Sequence, residues 1–174
     1  MAQKWSGEPE IVTLPDITVA TVHTTGDPED LGADVMKALH GAAYGLKFAL
    51  KKRGVEMKMG EPRARWAWVP GQEPTGGLDG DWAVPVPDGT LESDLPQKSE
   101  SRHVSVAVWH YGECARILHQ GAYDAEEPTI ARLGEFIGAS GYEIAGMHEE
   151  WYLSQPGVKV PKTVILYPVR RVKE

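Results

Sequence analysis

A chain of 174 residues, 41% hydrophobic and 25% charged, is long enough to bury one sizeable core, which excludes wholesale disorder and predicts a single domain over 1–174. With 18 basic against 25 acidic residues the net charge is −7, so direct nucleic-acid binding, which rests on Lys and Arg displacing counterions, is not expected. The one cysteine, Cys114, excludes an internal disulfide; with no membrane-length apolar run and no signal-like N-terminus, the expected setting is the cytoplasm, without a membrane partner.

In chain order, EIVTLPDITVATVHTT (residues 10–25) is rich in β-branched residues and broken once at Pro15 and Asp16, so it reads as one strand with a kink or bulge. Asp27 can cap a following helix and Pro28 suits its first turn. Leu31, Val35, Leu39, Ala42, Leu46 and Leu50 then supply an apolar stripe, and the helix should end near Arg53, before Gly54. RARWAWVPG (63–71) alternates so that Trp66 and Trp68 share a face, and DWAVPVPDG (81–89) reads as a shorter strand. GQEPTGGLDG and DGTLESDLPQKSES are turn-rich, which makes 72–102 a loop-rich connection that could close over a site.

The pattern then begins again. HVSVAVWHYGECARILHQGAY (103–123) is a β-rich run interrupted at Tyr111 and Gly112, and Asp124 with Glu127 has capping-box spacing for a second helix. Ile130, Leu133, Phe136 and Ile137 give that helix its core face, Gly141 ends it, and strands over 145–154 and 163–170 close the chain. An offset of 96 residues lays His23 on His119, Val12 on Val108 and Asp16 on Gly112, so the chain reads as an internal repeat, 10–89 and 103–171. Two strand–helix–strand–strand modules of this kind form an α+β fold with a pseudo-two-fold axis, and the seam between them is where a cavity is expected.

ARILHQGAYDAEEPTIARLGEFIGASGYEIAGMHEEWYLSQP carries His-x-Gly-x-Tyr, Gly-Tyr and Glu-x-Tyr-Leu-Ser-x-Pro in order, and the closing TVILYPV is similar to Thr-x-Val-x-x-Pro-Val, with Ile165 at the third position. This resembles the gyrase-inhibitor-like (GyrI-like) small-molecule-binding family, over roughly 104–170. The resemblance implies an antiparallel sheet of two pseudo-symmetric modules around an aromatic cavity, with Glu150 at its centre and Tyr152 beside it. GLDGDWAV faintly resembles a Leu-Glu-Gly-Leu-Trp-Trp stretch of stand-alone members that hydrolyse cyclopropane-bearing toxins, although Ala83 stands where that stretch has its second tryptophan. Regulator members carry a helix-turn-helix domain, for which the residues before the first strand are expected to leave no room.

Strand alternation separates the doubled glutamate of GMHEEWYLSQP: His148, Glu150 and Tyr152 share one face, and Met147, Glu149, Trp151 and Leu153 the other. The second, mostly apolar set suits packing beneath a helix, with Glu149 near an edge, reaching water or a basic partner, and dispensable for ligand binding. Glu150, facing the seam, is a candidate counter-ion for a cationic ligand or a general base; the alternative is a glutamate that only holds the seam together. Trp66, Trp68 and Trp109 are candidate pocket walls, although tryptophans at alternate strand positions are also ordinary core residues. Tyr123 could donate a hydrogen bond into the site, and would join Glu150 as a catalytic residue in an enzyme.

His119, with its counterpart His23, is read as structural, and Cys114 as a strand-filling apolar residue. HEEWY lacks the second histidine of a helical zinc motif and TGGLDG lacks phosphate-loop spacing, so neither a metal nor a cofactor is expected. Three functions follow. The leading one is binding of a hydrophobic, cationic or electrophilic small molecule, as in multidrug effector domains. The others are hydrolysis of strained alkylating toxins, a detoxification, and inhibition of a protein partner such as gyrase. Oligomeric state is not legible.

Overall fold

The computed structural model describes residues 5–68, 70 and 77–174. Val69 and residues 71–76, which belong to the expected strand end and the first polar connection, lie outside the described residues, as do residues 1–4.

The first β-rich run is two strands rather than one kinked strand, β1 (Glu10–Leu14) and β2 (Ile17–Gly26), which join different parts of the sheet. The second run divides the same way into β5 (Ser105–Trp109) and β6 (Gly112–Gln120). Both breaks fall at one place. β1 pairs antiparallel with β6 and β2 with β5 in one continuous register, from Glu10↔Arg116 to Thr21↔Ser105. At the break the Asp16 carboxylate replaces the missing ladder bonds, meeting His110 Nδ1 at 2.7 Å and accepting from the Tyr111 backbone N–H at 3.2 Å.

The remaining strands are β3 (Arg63–Trp66), β4 (Leu78–Pro85), β7 (Tyr142–Ile144), β8 (His148–Tyr152) and β9 (Lys162–Arg171). The order is β1-β6-β9-β8-β3-β4-β2-β5, every pairing is antiparallel, and the short β7, which was not expected, pairs with β9 off this path. At the centre β3 lies on β8 with Ala64 opposite Glu150 and Arg65 opposite Glu149. The strand order in the sheet joins β3 of the first half of the chain to β8 of the second, so Glu150 stands at the seam.

Helix α1 (Pro28–Lys52) starts as expected, with the Asp27 carboxylate accepting from the Glu29 N–H at 2.9 Å, and it stops before Gly54, whose φ of 76° lies in the left-handed region. Helix α2 (Glu127–Ala139) begins later than expected. Tyr123–Ala125 form a separate 3₁₀ turn, no Asp124–Glu127 capping box forms, and the N-cap residue is Glu126.

Both helices lie on the same face of the sheet. Val35, Leu39 and Leu46 of α1 pack with Val22, Ala64, Trp66, Trp82 and Val84, while Leu133 and Ile137 of α2 pack with Ile117, Ile165 and Tyr167. The other face carries Cys114, Trp151, Val164 and Leu166 beside Val19, Ala83 and Trp109, covered in part by Trp5. The segment 86–102 does not cover the seam. Leu95 is buried in the α1 cluster, Gln97 exchanges two hydrogen bonds with the Val104 backbone, and Arg102 pairs with Asp34 of α1 at 2.8 Å.

Candidate functional site

On the helix-covered face, β8 presents His148, Glu150 and Tyr152 in a row, as alternation requires. Glu150 is held from both sides. Its Oε1 meets His148 Nε2 at 2.8 Å, and its Oε2 accepts from the Tyr152 hydroxyl at 2.8 Å. His148 is itself fixed by the Tyr167 hydroxyl of β9, 2.6 Å from Nδ1, so the neutral imidazole that satisfies both contacts accepts from Tyr167 and donates to Glu150. Aromatic rings surround this row. Tyr152 is stacked on Trp82 with centroids 6.3 Å apart and receives Tyr123 edge-on at 6.0 Å, while Trp68 meets His148 edge-on at 5.2 Å.

A second carboxyl reaches the same place. Glu126, at the start of α2, lies with its donor atom within 4.8 Å of those of His148 and Glu150, and it is buried. Burial first, then the Glu150 charge, pushes its carboxyl up to about 9. For Glu150 burial works in the same direction, but hydrogen bonds from His148, from Tyr152 and from the Glu126 carboxyl outweigh it and lower the group from its ordinary value. Environments that part the two carboxyls in this way leave Glu126 protonated and Glu150 charged at neutral pH. Glu126, His148 and Glu150 are also a set of donors that could hold a metal ion.

Of the residues singled out in the sequence, the fold brings Glu150, Tyr152, His148, Trp68 and Tyr123 together. Trp66 lies one layer away, 4% exposed and packed edge-on against Trp82 at 5.0 Å, so it supports the site from the core. Trp109 is a correction: it pairs with Ile17 on the opposite face, with the Arg65 guanidinium 4.0 Å over its ring. Three residues went unrecognised in the sequence. Trp82 and Tyr167 enter through cross-strand neighbours, which no local pattern shows. Glu126 left a faint signal, since Pro128 marks the first turn of α2 and a glutamate is a poor N-cap.

Glu149 needs its own correction. No helix among the described residues covers its side, and it is neither near an edge nor in water, although it does reach a basic partner: it is 1% exposed, accepts from Tyr111 at 2.6 Å and Trp151 at 3.1 Å, and has Arg65 Nε at 3.4 Å. It is the centre of a buried network that also includes Arg63, bonded to the Tyr111 hydroxyl and lying over Trp151. His119 is structural as expected, its ring linking Thr129 and the Ala122 carbonyl, whereas His23 is exposed and pairs with Asp79 and Asp81.

Surface hollows of about 570 and 230 Å³ lie beside α1, the first near Lys47, Lys51, Met57 and Met59, and neither is lined by Glu150. The Glu150 side chain is 14% exposed. A family model described as the GyrI-like small molecule binding domain matches residues 7–170. The chain belongs to the GyrI-like family.

Solved structures agree on the GyrI-like fold. A hydrolase from Listeria innocua is 21% identical, with a TM-score of 0.80 over 96% of this chain and 94% of that one. An uncharacterized conserved protein from the same organism, also 21% identical, gives 0.83 over 95% and 94%. The C-terminal domain of EcmrR, 16% identical, gives 0.63 over 95% and 98%. At these identities the likeness is one of fold. No curated protein matches the sequence significantly. No helix among the described residues is long and apolar enough to cross a membrane.

Proposed function

We propose that this GyrI-like chain binds a hydrophobic small molecule, cationic or electrophilic, against the rings of Tyr152, Trp82, Trp68 and Tyr123, with Glu150 as the polar anchor. The observation that carries this reading is the setting of Glu150: a carboxylate fixed from two sides, ringed by aromatic faces, and still partly exposed. Aromatic faces and a carboxylate together favour a flat or cationic lipophile, read by burial more than by shape. Sequestration of such compounds in the cytoplasm is the corresponding role.

Tryptophan fluorescence tests this, with tetraphenylphosphonium as the cation and triphenylphosphine oxide as a neutral analogue. The cation should quench saturably and lose about tenfold in affinity in Glu150→Gln, while the neutral compound should be indifferent to the substitution. Equal loss for both compounds, or none for either, contradicts the counter-ion role.

A second reading, hydrolysis of an electrophilic substrate, is favoured by the His148–Glu150–Tyr152 chain of hydrogen bonds and by the structural likeness to a Listeria innocua protein described as a hydrolase. Glu150 would take a proton from water as its oxygen bonds to a strained cyclopropane carbon and the ring C–C bond breaks, and Tyr123, exposed above Tyr152, would hydrogen-bond the conjugated oxygen that receives the electron pair. Ring-opened product from a cyclopropane-bearing alkylator, absent with Glu150→Gln, supports turnover; an unchanged substrate pool leaves binding alone.

A further inference from the structure

Glu126 is the residue for which the ligand-binding reading has no task. It occupies the N-cap of α2 without capping it, since its side chain makes no cap hydrogen bond, and a glutamate there gains little for the helix. It is nonetheless 6% exposed, and its Oε1 is wholly buried without a hydrogen-bond partner among the described residues. An orphaned carboxylate oxygen in the interior costs on the order of 1–3 kcal/mol, more when charged, unless a cation or proton completes it.

Glu126 belongs to a three-donor cluster. Glu126, His148 and Glu150 each offer one atom, all within 4.8 Å of one another, from the first turn of α2 and two same-face positions of β8. We propose that these three residues form a binding site for one divalent first-row metal ion, of the Mn²⁺, Co²⁺ or Zn²⁺ kind. The inference goes beyond the small-molecule reading and does not need its ligand.

The geometry suits a small ion. Atoms bound to one metal at about 2.0–2.2 Å stand roughly 3 Å apart at neighbouring octahedral corners. His148 Nε2 and Glu150 Oε1 are already 2.8 Å apart, and Glu126, whose donor atom lies within 4.8 Å of both, closes the set with a movement of at most about 2 Å. One imidazole and two carboxylates are a borderline-to-hard donor set. It is short of the six to eight oxygens that Ca²⁺ takes and lacks the thiolates that select Cu⁺.

The outer partners are in place as well. Tyr167 holds His148 Nδ1 and Tyr152 holds Glu150 Oε2, as second partners of metal ligands do. For an ion to bind, the single ring proton moves from Nε2 to Nδ1, where the Tyr167 oxygen accepts its hydrogen bond, and the Glu126 carboxyl releases its proton to solvent. Three protein donors leave corners for water or for an oxygen-bearing ligand beside Tyr123.

The test uses the full chain, stripped with a chelator, and three probes: Co²⁺ by its visible absorption, and Zn²⁺ and Mn²⁺ by calorimetry. One ion per chain is expected, with at least tenfold weaker binding in Glu126→Gln and Glu150→Gln and about tenfold weaker in Tyr167→Phe. Asp81→Asn, which removes a carboxylate of the surface His23 cluster, should leave binding unchanged. Glu126→Gln keeps the side-chain shape and removes a buried acid, and far-ultraviolet circular dichroism checks that each variant is folded.

No saturable binding of any of the three ions at millimolar concentration overturns the proposal. So does binding that is unaffected by Glu126→Gln or is abolished by Asp81→Asn. The tetraphenylphosphonium titration reports separately on the small-molecule reading, so either idea can fail alone.

Discussion

Glu149 and Glu150 are consecutive on β8, and the sheet separates them completely: Glu150 lies among Tyr152, His148 and Glu126, while Glu149 is locked to Arg65, Tyr111 and Trp151 on the other face. The two carboxylates should therefore fail differently. Glu149→Gln removes the charge from a buried pair and leaves the Arg65 guanidinium without its partner, costing about 3 kcal/mol or more. Urea unfolding should show a lowered midpoint for Glu149→Gln and a near-normal one for Glu150→Gln, with the defect in ligand binding reversed between them.

Gly80 is required by a neighbour across the sheet. A Cβ there would come within 2.4 Å of both the Trp66 ring and the Arg65 carbonyl oxygen, and Trp66 is pinned beneath Trp82. Gly80→Ala should destabilise the protein by roughly 1–3 kcal/mol, as overpacking does. Thermal melting checks this, and red-shifted tryptophan emission in the folded variant would show the Trp66–Trp82 contact opening.

Cys114 should be inert in the folded protein. It is fully buried on β6, and burial first, then the Glu149 charge, pushes its thiol up to about 11. At pH 8 only about one such thiol in a thousand would be ionised even with access to reagent. Mass spectrometry after iodoacetamide treatment should find no adduct in buffer and one in urea; rapid labelling in buffer would show that β6 is not packed as described.

The His23 cluster gives a small pH dependence of known sign. The Asp81 hydrogen bond, outweighing a little desolvation and helped by the Asp81 and Asp79 charges, raises the His23 value above 6.5. Folding is therefore favoured below about pH 6.5, and that contribution disappears as pH rises through the raised folded-state value. The side chain is 60% exposed, so the effect should stay below about 1 kcal/mol. Comparing urea midpoints at pH 6 and pH 8, wild type should lose more than His23→Gln; equal losses would place the pH dependence elsewhere.

Local chemistry in the sequence determined a good part of this protein. Asp27, Pro28 and Gly54 mark the ends of α1 because caps and left-handed stops act within one turn of the helix. Alternation along β8 separated Glu149 from Glu150 because successive side chains on a strand must point to opposite faces. The motifs from His119 to Pro168 carried the family. These signals all operate over a few residues, or repeat in relatives, so they survive in one chain read alone.

Tertiary structure decided the rest. That β1 and β2 are separate strands follows from pairing with residues about a hundred positions away, where Asp16 takes over the hydrogen bonds at the break. Trp109 alternates correctly within its own strand, yet which face becomes the site depends on where the helices lie, and they cover the other one. Tyr167 and Trp82 reach the site across β9 and β4, and Glu126 reaches it because α2 starts later than its capping signals suggest. A sequence shows which side chains share a face, but sheet order and helix docking are set by burial summed over the whole chain, and they determine which faces meet at Glu150.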